Sequence, residues 1–141
     1  MRANLTVLLA SGLALVSGCQ GPSMLESHVE VLNVKAFIAV ANEAAAMLSA
    51  VHSAETARNM LPKLLTAQRR FAAVRETADT SPFQPDDQYW RGVEYATQAY
   101  GAQFSAAEDR VAEQLERLRN LPGVPAILGE DFFNSEKWGY R

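Results

Sequence analysis

The sequence predicts an all-α protein, an antiparallel bundle of three long helices followed by a short C-terminal helix. Apolar residues recur at spacings of three and four, sustained period-two alternation is absent, and Pro and Gly cluster between the periodic segments. The chain has 141 residues, enough for one compact domain. We therefore expect one helical domain over residues 25–133.

The first predicted helix runs from about Leu25 to Val51, with Glu26 and Glu30 in its first turns, where carboxylates suit the helix dipole. Its apolar positions form a seam of the kind found between packed helices. That seam consists of Val34, Phe37, Ala41, Ala44, Leu48 and Val51.

The second predicted helix has Ser53 as its N-cap. Pro62 either kinks this helix or begins the true helix at its first position. The apolar seam continues on both sides of Pro62, which favours a kink. The seam consists of Ala57, Met60, Leu64, Ala67, Phe71, Val74 and Ala78.

The third predicted helix starts after the break "ADTSPFQPDD" and extends to about Asn120. Its apolar stripe repeats every eleven residues, which predicts a straight or slightly right-handed face. Gly92 and Gly101 interrupt it, and we expect close helix approach or aromatic packing there, with a gap for a ligand as the alternative. The stripe includes Tyr89, Val93, Ala96, Tyr100, Phe104, Ala107, Val111, Leu115 and Leu118.

The end of the chain, from "NLPGVPAILGEDFF" onward, predicts a short helix with Pro125 near its start and Ile127, Leu128 and Phe132 facing inward. Residues 134–141 are expected to form an irregular aromatic tail. Basic side chains dominate the second helix and acidic ones the third, so these two helices are expected to be neighbours.

The N-terminal residues differ in composition from the rest. Arg2 precedes the apolar run "LTVLLASGLALV", which is shorter than the roughly 20 residues that span a bilayer. A short apolar run behind a cation is typical of a signal peptide, here residues 1–18. Cys19, the only cysteine, follows directly, so an intramolecular disulfide is excluded.

Val16, Ser17, Gly18 and Cys19 together resemble the lipobox of bacterial lipoproteins. The resemblance implies that the peptidase recognises Val16, Ser17 and Gly18, that the Cys19 thiol carries a diacylglyceryl group, and that cleavage precedes Cys19. Ordinary signal cleavage and an uncleaved segment are the alternatives. A lipidated Cys19 would begin a short tether over residues 19–24. Gln20, where such lipoproteins carry Asp for inner-membrane retention, implies the outer membrane and a bundle facing the periplasm.

The segments "ETARNMLPKL" and "LRNLPGVPAIL" are similar to a family of small Ala-rich helical envelope proteins of bacteria, for which no activity is established. The resemblance covers about two thirds of the chain. It implies a helical envelope domain and transfers no functional residues.

Several functional classes lack support in the sequence. A net charge of −3 argues against a nucleic-acid partner. His28 and His52 lie about 36 Å apart on a straight helix, so we expect no shared metal ion. Phosphate-binding, nucleophile and zinc-protease motifs are absent, and we expect neither a cofactor nor an enzyme.

The aromatic residues Trp90, Tyr95, Phe133, Trp138 and Tyr140 are the candidate partner-binding residues. They either form a docking patch or cover the open end of the bundle. The patch would bind an envelope protein, a second copy of the chain, a glycan strand or the lipid headgroup region. The sequence thus favours a lipid-anchored, non-catalytic structural or protein-interaction module. The alternative is a periplasmic carrier that binds a small apolar ligand between the first and third helices.

Overall fold

The computed structural model describes residues 22–79 and 85–140, which form helices joined by short turns. Three long helices and a short C-terminal helix confirm the predicted fold class. The elements in chain order are α1 (Pro22–Leu25), α2 (Val29–Ser49), α3 (Ala54–Asp79), α4 (Asp87–Arg119), α5 (Val124–Leu128) and two 3₁₀ turns, Glu130–Phe133 and Ser135–Trp138.

Helix α2 is the centre of the bundle. It packs along both α3 and α4, which contact each other far less. The predicted seam explains this position, because Phe37, Ala41, Ala44 and Leu48 are all buried on α2. Alanine has a small side chain, so it allows the neighbouring helices to approach closely. By length and composition α2 is also apolar enough to cross a membrane, and about a third of its apolar window is buried in the bundle. Burial therefore accounts for part of this composition.

Polar groups fix the ends of the long helices. The backbone N–H of Thr56 donates to Ser53 Oγ over 3.2 Å, as predicted for the N-cap of α3. Asp86 caps α4 in the same way, accepting from the Tyr89 N–H over 2.8 Å. Helix α3 begins at Ala54 and continues through Pro62, so Pro62 is not its first residue.

The two halves of the bundle along its axis differ, and we name them by their ends. The upper half contains α1, α2 up to Lys35, α3 from Glu76 onward and α4 up to Ser105; the lower half contains the rest of the three long helices and everything after α4. In the lower half the C-terminal segment, residues 124–140, packs against α3 and α4. Trp138 is fully buried there, with its ring centroid 5.6 Å from that of Phe71 and 5.5 Å from that of Phe132.

One buried carbonyl holds this segment in place. The Phe132 carbonyl oxygen accepts from Trp138 Nε1 over 2.7 Å and from Gln68 Nε2 over 2.9 Å. Both donors are themselves buried. These hydrogen bonds satisfy polar groups that would otherwise be costly to remove from water.

Three expectations need correction. Residues 134–141 are not simply irregular, because Ser135–Trp138 forms a 3₁₀ turn that ends at Gly139 with φ +76°. The first helix does not run unbroken from Leu25, since α2 begins only at Val29 and Pro22–Leu25 forms a separate turn that overlaps the end of the predicted tether. The oppositely charged α3 and α4 are not close neighbours, although Arg75 of α3 forms an ion pair with Glu108 of α4.

Candidate ligand-binding groove

A groove of about 880 Å³ lies between α2, α3 and α4 in the upper half. Its volume falls within the roughly 300–1,000 Å³ range typical of small-molecule sites. The groove is lined by Val29, Glu30, Asn33, Val34, Glu76, Thr77, Ala78, Tyr89, Val93, Ala96, Thr97, Gly101, Phe104 and Ser105.

Aromatic packing links the groove to the core of the lower half. Phe104, which lines the groove, stacks on Phe37 with 4.2 Å between the ring centroids. Phe37 in turn contacts Phe71 at 5.3 Å, and Phe71 contacts the buried Trp138. One wall of the groove is therefore continuous with the buried aromatic core.

The two glycines of α4 have different roles. A Cβ on Gly92 would lie 2.7 Å from Glu30 Oε2 and 2.9 Å from His28 Nδ1, so Gly92 permits close approach to the start of α2. A Cβ on Gly101 would meet only the Thr97 methyl group, at 3.9 Å. Close packing thus explains Gly92, whereas Gly101 widens the groove, as the ligand-gap alternative expected.

The lining surface is mainly apolar, although half of the lining side chains are polar. Valine, alanine and phenylalanine side chains from all three helices contribute to the apolar part. The polar groups are the carboxylates of Glu30 and Glu76, the amide of Asn33 and the hydroxyls of Thr77, Tyr89, Thr97 and Ser105. Such a surface suits a small apolar molecule that carries one or two hydrogen-bonding groups.

A polar cluster beside the groove fastens the start of the domain to α4. Glu26 Oε1 accepts from the Tyr100 hydroxyl over 2.6 Å and from the Tyr95 hydroxyl over 2.7 Å. Its other oxygen pairs with Lys35 Nζ at 3.1 Å, and Lys35 Nζ also lies 5.6 Å from the Tyr100 ring centroid. We call Glu26, Lys35, Tyr95 and Tyr100 the Glu26 cluster.

These hydrogen bonds alter the ionisation of the cluster. The Tyr100 and Tyr95 hydroxyls, followed by Lys35, lower the pKa of Glu26 to about 2. The hydrogen bond to Glu26 raises the pKa of Tyr95 to about 12, and the same cause raises the pKa of Tyr100. The cluster therefore contains one carboxylate and two neutral phenols across the ordinary pH range. Its hydrogen bonds act as a clasp, because they join the start of the domain to α4 throughout this range.

The structure brings together no recognisable catalytic or metal-binding group in the residues it describes. Within residues 22–79 and 85–140 there is no set of three His, Cys, Asp or Glu side chains that could hold a metal ion. His28 lies next to Glu30, with 3.9 Å between Nδ1 and Oε2, and of these two side chains Glu30 lines the groove.

The predicted lipidation site falls outside the described residues, and this applies to Val16, Ser17, Gly18 and Cys19 alike. Its assignment therefore stays a prediction.

The aromatic candidates on α4 have separate environments. The Trp90 side chain is 55% exposed, and its ring meets that of Tyr89 edge-on at 5.2 Å. Tyr95 is half-buried, and its hydroxyl is held by Glu26. Trp90 is thus accessible to a partner, whereas the polar end of Tyr95 is used inside the chain.

The C-terminal aromatic residues are covered, so the docking patch expected from them is wrong for Phe133 and Trp138. Phe133 is 7% exposed and Trp138 is fully buried. Tyr140 is half-buried, with the Arg75 guanidinium 4.2 Å from its ring centroid, and burial raises its pKa. The positive φ of Gly139 directs Tyr140 back toward α3. The alternative expectation, that these side chains cover an open part of the bundle, describes them.

The sequence predicted a ligand site between the first and third helices only as an alternative, although α4 carried a further signal of the groove. Tyr89, Val93, Ala96 and Phe104 were expected in a core stripe, and the structure places them on the groove lining. The stripe extends farther along α4 than the apolar segments that pack against it. An apolar stripe with a glycine and few partners is the pattern that would have indicated a cavity.

No protein-family model, curated protein or solved structure matches the chain. The resemblances drawn from the lipobox and from the two internal segments therefore stay predictions.

Proposed function

We propose that the chain is a lipid-anchored protein of the bacterial cell envelope, which holds a small apolar ligand in the groove and performs no chemistry on it. The observation that carries the binding role is the groove itself, widened at Gly101 and lined mainly by apolar side chains. The anchor is supported by the lipobox-like residues before Cys19. Gln20 supports the outer membrane, with the bundle facing the periplasm.

The binding role is tested by filling the groove. Gly101→Leu places a branched side chain in the space that the glycine leaves, whereas Gln103→Leu adds the same side chain at an exposed position of α4. The probe is N-phenyl-1-naphthylamine, an uncharged fluorophore. We expect Gly101→Leu to weaken its binding by about tenfold or more, with Gln103→Leu close to the wild type. Equal binding by all three proteins would contradict the proposal.

Native mass spectrometry supplies a second measurement. Wild-type protein purified from envelopes is expected to retain an apolar molecule that Gly101→Leu loses. Circular dichroism checks that both variants remain helical, since leucine is well tolerated in a helix.

The anchor is tested separately. Cys19→Ser removes the thiol to which the diacylglyceryl group would be attached, so we expect an unprocessed precursor without incorporated fatty acid. Metabolic labelling with a radioactive fatty acid measures this. Equal labelling of the variant and the wild type would rule out Cys19 as the attachment site.

A second candidate function, a structural or protein-interaction module, is favoured by the exposed Trp90. A photoreactive amino acid in place of Trp90 tests it in cells. A single dominant protein adduct would support the interaction module, and adducts with lipid alone would count against it.

A further inference from the structure

The exposed apolar side chains gather at the upper end of the bundle. Among the described residues, five large apolar side chains are exposed, and four of them lie at this end. The four are Met24 at 55%, Val29 at 60%, Leu32 at 51% and Trp90 at 55% exposure. The fifth, Leu65, lies in α3 about 20 Å along the helix from its upper end, Asp79.

These four side chains form one surface. A shallow hollow at the upper end is lined by Met24, Val29 and Tyr89, and Trp90 packs edge-on against Tyr89. Leu32 follows Val29 by three residues, which places the two on the same face of α2. We call Met24, Val29, Leu32 and Trp90 the upper patch.

The position of the chain before α1 indicates what covers the upper patch. Cys19 lies three residues before Pro22, and three residues span at most about 11 Å. A diacylglyceryl group on Cys19 would therefore hold the bilayer within that distance of α1. The upper patch begins two residues after Pro22, at Met24.

We propose that the upper patch docks on the lipid bilayer, so that the upper end of the bundle faces the membrane. This inference rests on the proposed lipid anchor at Cys19. Tryptophan is amphipathic and is enriched at bilayer interfaces, and aliphatic side chains gain free energy when they leave water. The surface nearest the tether is therefore also the one whose side chains suit a lipid interface.

The charged side chains near the upper patch favour an apolar contact with the bilayer over an electrostatic one. The hollow is lined by Glu30 and Asp86, and Asp87 follows in the first turn of α4. These carboxylates outnumber the exposed Arg91 beside Trp90. The Lys35 ammonium is paired with Glu26. A surface with this acidic balance is not attracted to anionic headgroups. We therefore expect docking on zwitterionic phosphatidylcholine vesicles, with little dependence on salt.

Tryptophan fluorescence measures the docking, because the two tryptophans differ in burial. The processed protein purified from membranes is placed in phosphatidylcholine vesicles whose acyl chains are brominated near the headgroup. Trp138 is fully buried in the protein and serves as an internal reference. The difference between the wild type and Trp90→Phe isolates the emission of Trp90. We expect brominated lipid to quench this component by about half or more, as for an interfacial tryptophan.

A matched pair of variants tests whether the upper patch itself makes the contact. The triple variant Met24→Ser, Val29→Ser, Leu32→Ser should lose most of the lipid quenching of Trp90. Leu65→Ser removes an exposed leucine far from the upper end and should retain the quenching. Circular dichroism confirms the fold of both variants, since all the substituted side chains are largely exposed.

Two outcomes would overturn the docking. If aqueous acrylamide quenches Trp90 equally with and without vesicles and brominated lipid leaves it bright, the upper end faces water. If a protein covers Trp90 in native membranes, as revealed by one dominant crosslinked protein, the upper patch is a protein interface.

The mass of the Cys19 peptide, measured on the same sample, separates the two proposals. Lipid on Cys19 with an unquenched Trp90 rejects the docking alone, and an unmodified Cys19 rejects the anchor together with the docking that rests on it.

Discussion

The lower and upper halves of the bundle contain parts of the same three long helices but differ in how closely they are packed. In the lower half the C-terminal segment packs against α3 and α4 and buries Trp138, Phe132 and Val124. The upper half keeps a groove of about 880 Å³, a polar clasp around Glu26 and a set of exposed apolar side chains.

This difference separates stability from function within one small domain. A closely packed core resists local opening, whereas a cavity and exposed apolar surface lower local stability but provide places to bind. The aromatic chain from Phe104 through Phe37 to Phe71 joins the two halves. The rigid lower half can thus position the groove without itself contributing to binding.

The largest expected effect is a loss of stability caused by a substitution in the lower half. Trp138→Ala removes a fully buried indole and one of the two donors to the Phe132 carbonyl. We expect it to lower the free energy of unfolding by about 3–5 kcal/mol, the usual cost of a large aromatic deletion in a core. Urea unfolding followed by circular dichroism measures the change.

The control for this variant is Trp90→Ala, which removes the same side chain from an exposed site in the upper half. We expect it to change stability by about 0.5 kcal/mol or less in detergent solution. Similar losses from both variants would mean that the two halves do not differ in packing as described.

Alanine substitutions at two glycines should change the free energy of unfolding by smaller amounts and in opposite directions. Gly139 has φ +76°, and a Cβ there would lie 3.1 Å from Ala72 Cα. Gly139→Ala should therefore lower the free energy of unfolding by about 1–3 kcal/mol. Gly101→Ala adds a methyl group in open space within a helix and should raise it by about 0.5–1 kcal/mol. Thermal unfolding of the two variants tests whether the signs differ, and equal signs would count against an open groove at Gly101.

The Glu26 cluster should give the smallest effect, visible as a dependence on pH. The pKa of Glu26 is about 2, below its ordinary value of 4.5. Its contribution to stability is therefore present above about pH 4.5 and is lost as the pH falls toward 2. Between about pH 6 and about pH 3 the wild type should lose more stability than Glu26→Gln.

Glu43→Gln is the matched control, because Glu43 is exposed and pairs with Arg70 on the surface. It should retain the acid sensitivity of the wild type in urea unfolding. At high pH the dependence of stability on pH has the opposite sign for Tyr95, whose pKa is raised to about 12. Its contribution is present below about pH 10 and is lost as the pH rises through 12. If Glu26→Gln and the wild type respond identically to acid, the cluster does not act as a clasp in solution.

Local patterns were enough to predict most of the helical architecture. The seam on α2 correctly identified Phe37, Ala41, Ala44 and Leu48 as core residues, because helical periodicity fixes which side chains share a face. The cap at Ser53 also follows from short-range chemistry, since a side-chain oxygen there reaches a free N–H of the first turn. At Pro62 the continuous seam also indicated correctly that the helix passes through the proline.

The candidate site was less predictable, because it depends on which surfaces meet. Nothing in the sequence near Glu26 indicates that Tyr95 and Tyr100, about 70 residues later, donate to its carboxylate. Trp138 and Trp90 look alike in the sequence, yet one is fully buried and the other is 55% exposed.

The sequence by itself determined the fold class, the N-cap of α3 and the buried face of α2, since these depend on residues within a few positions of one another. Only the tertiary structure decided that the C-terminal segment completes the lower half while the upper half keeps its groove. The reason is geometric: the same apolar stripe becomes core where a second element covers it and becomes the wall of a groove where none does.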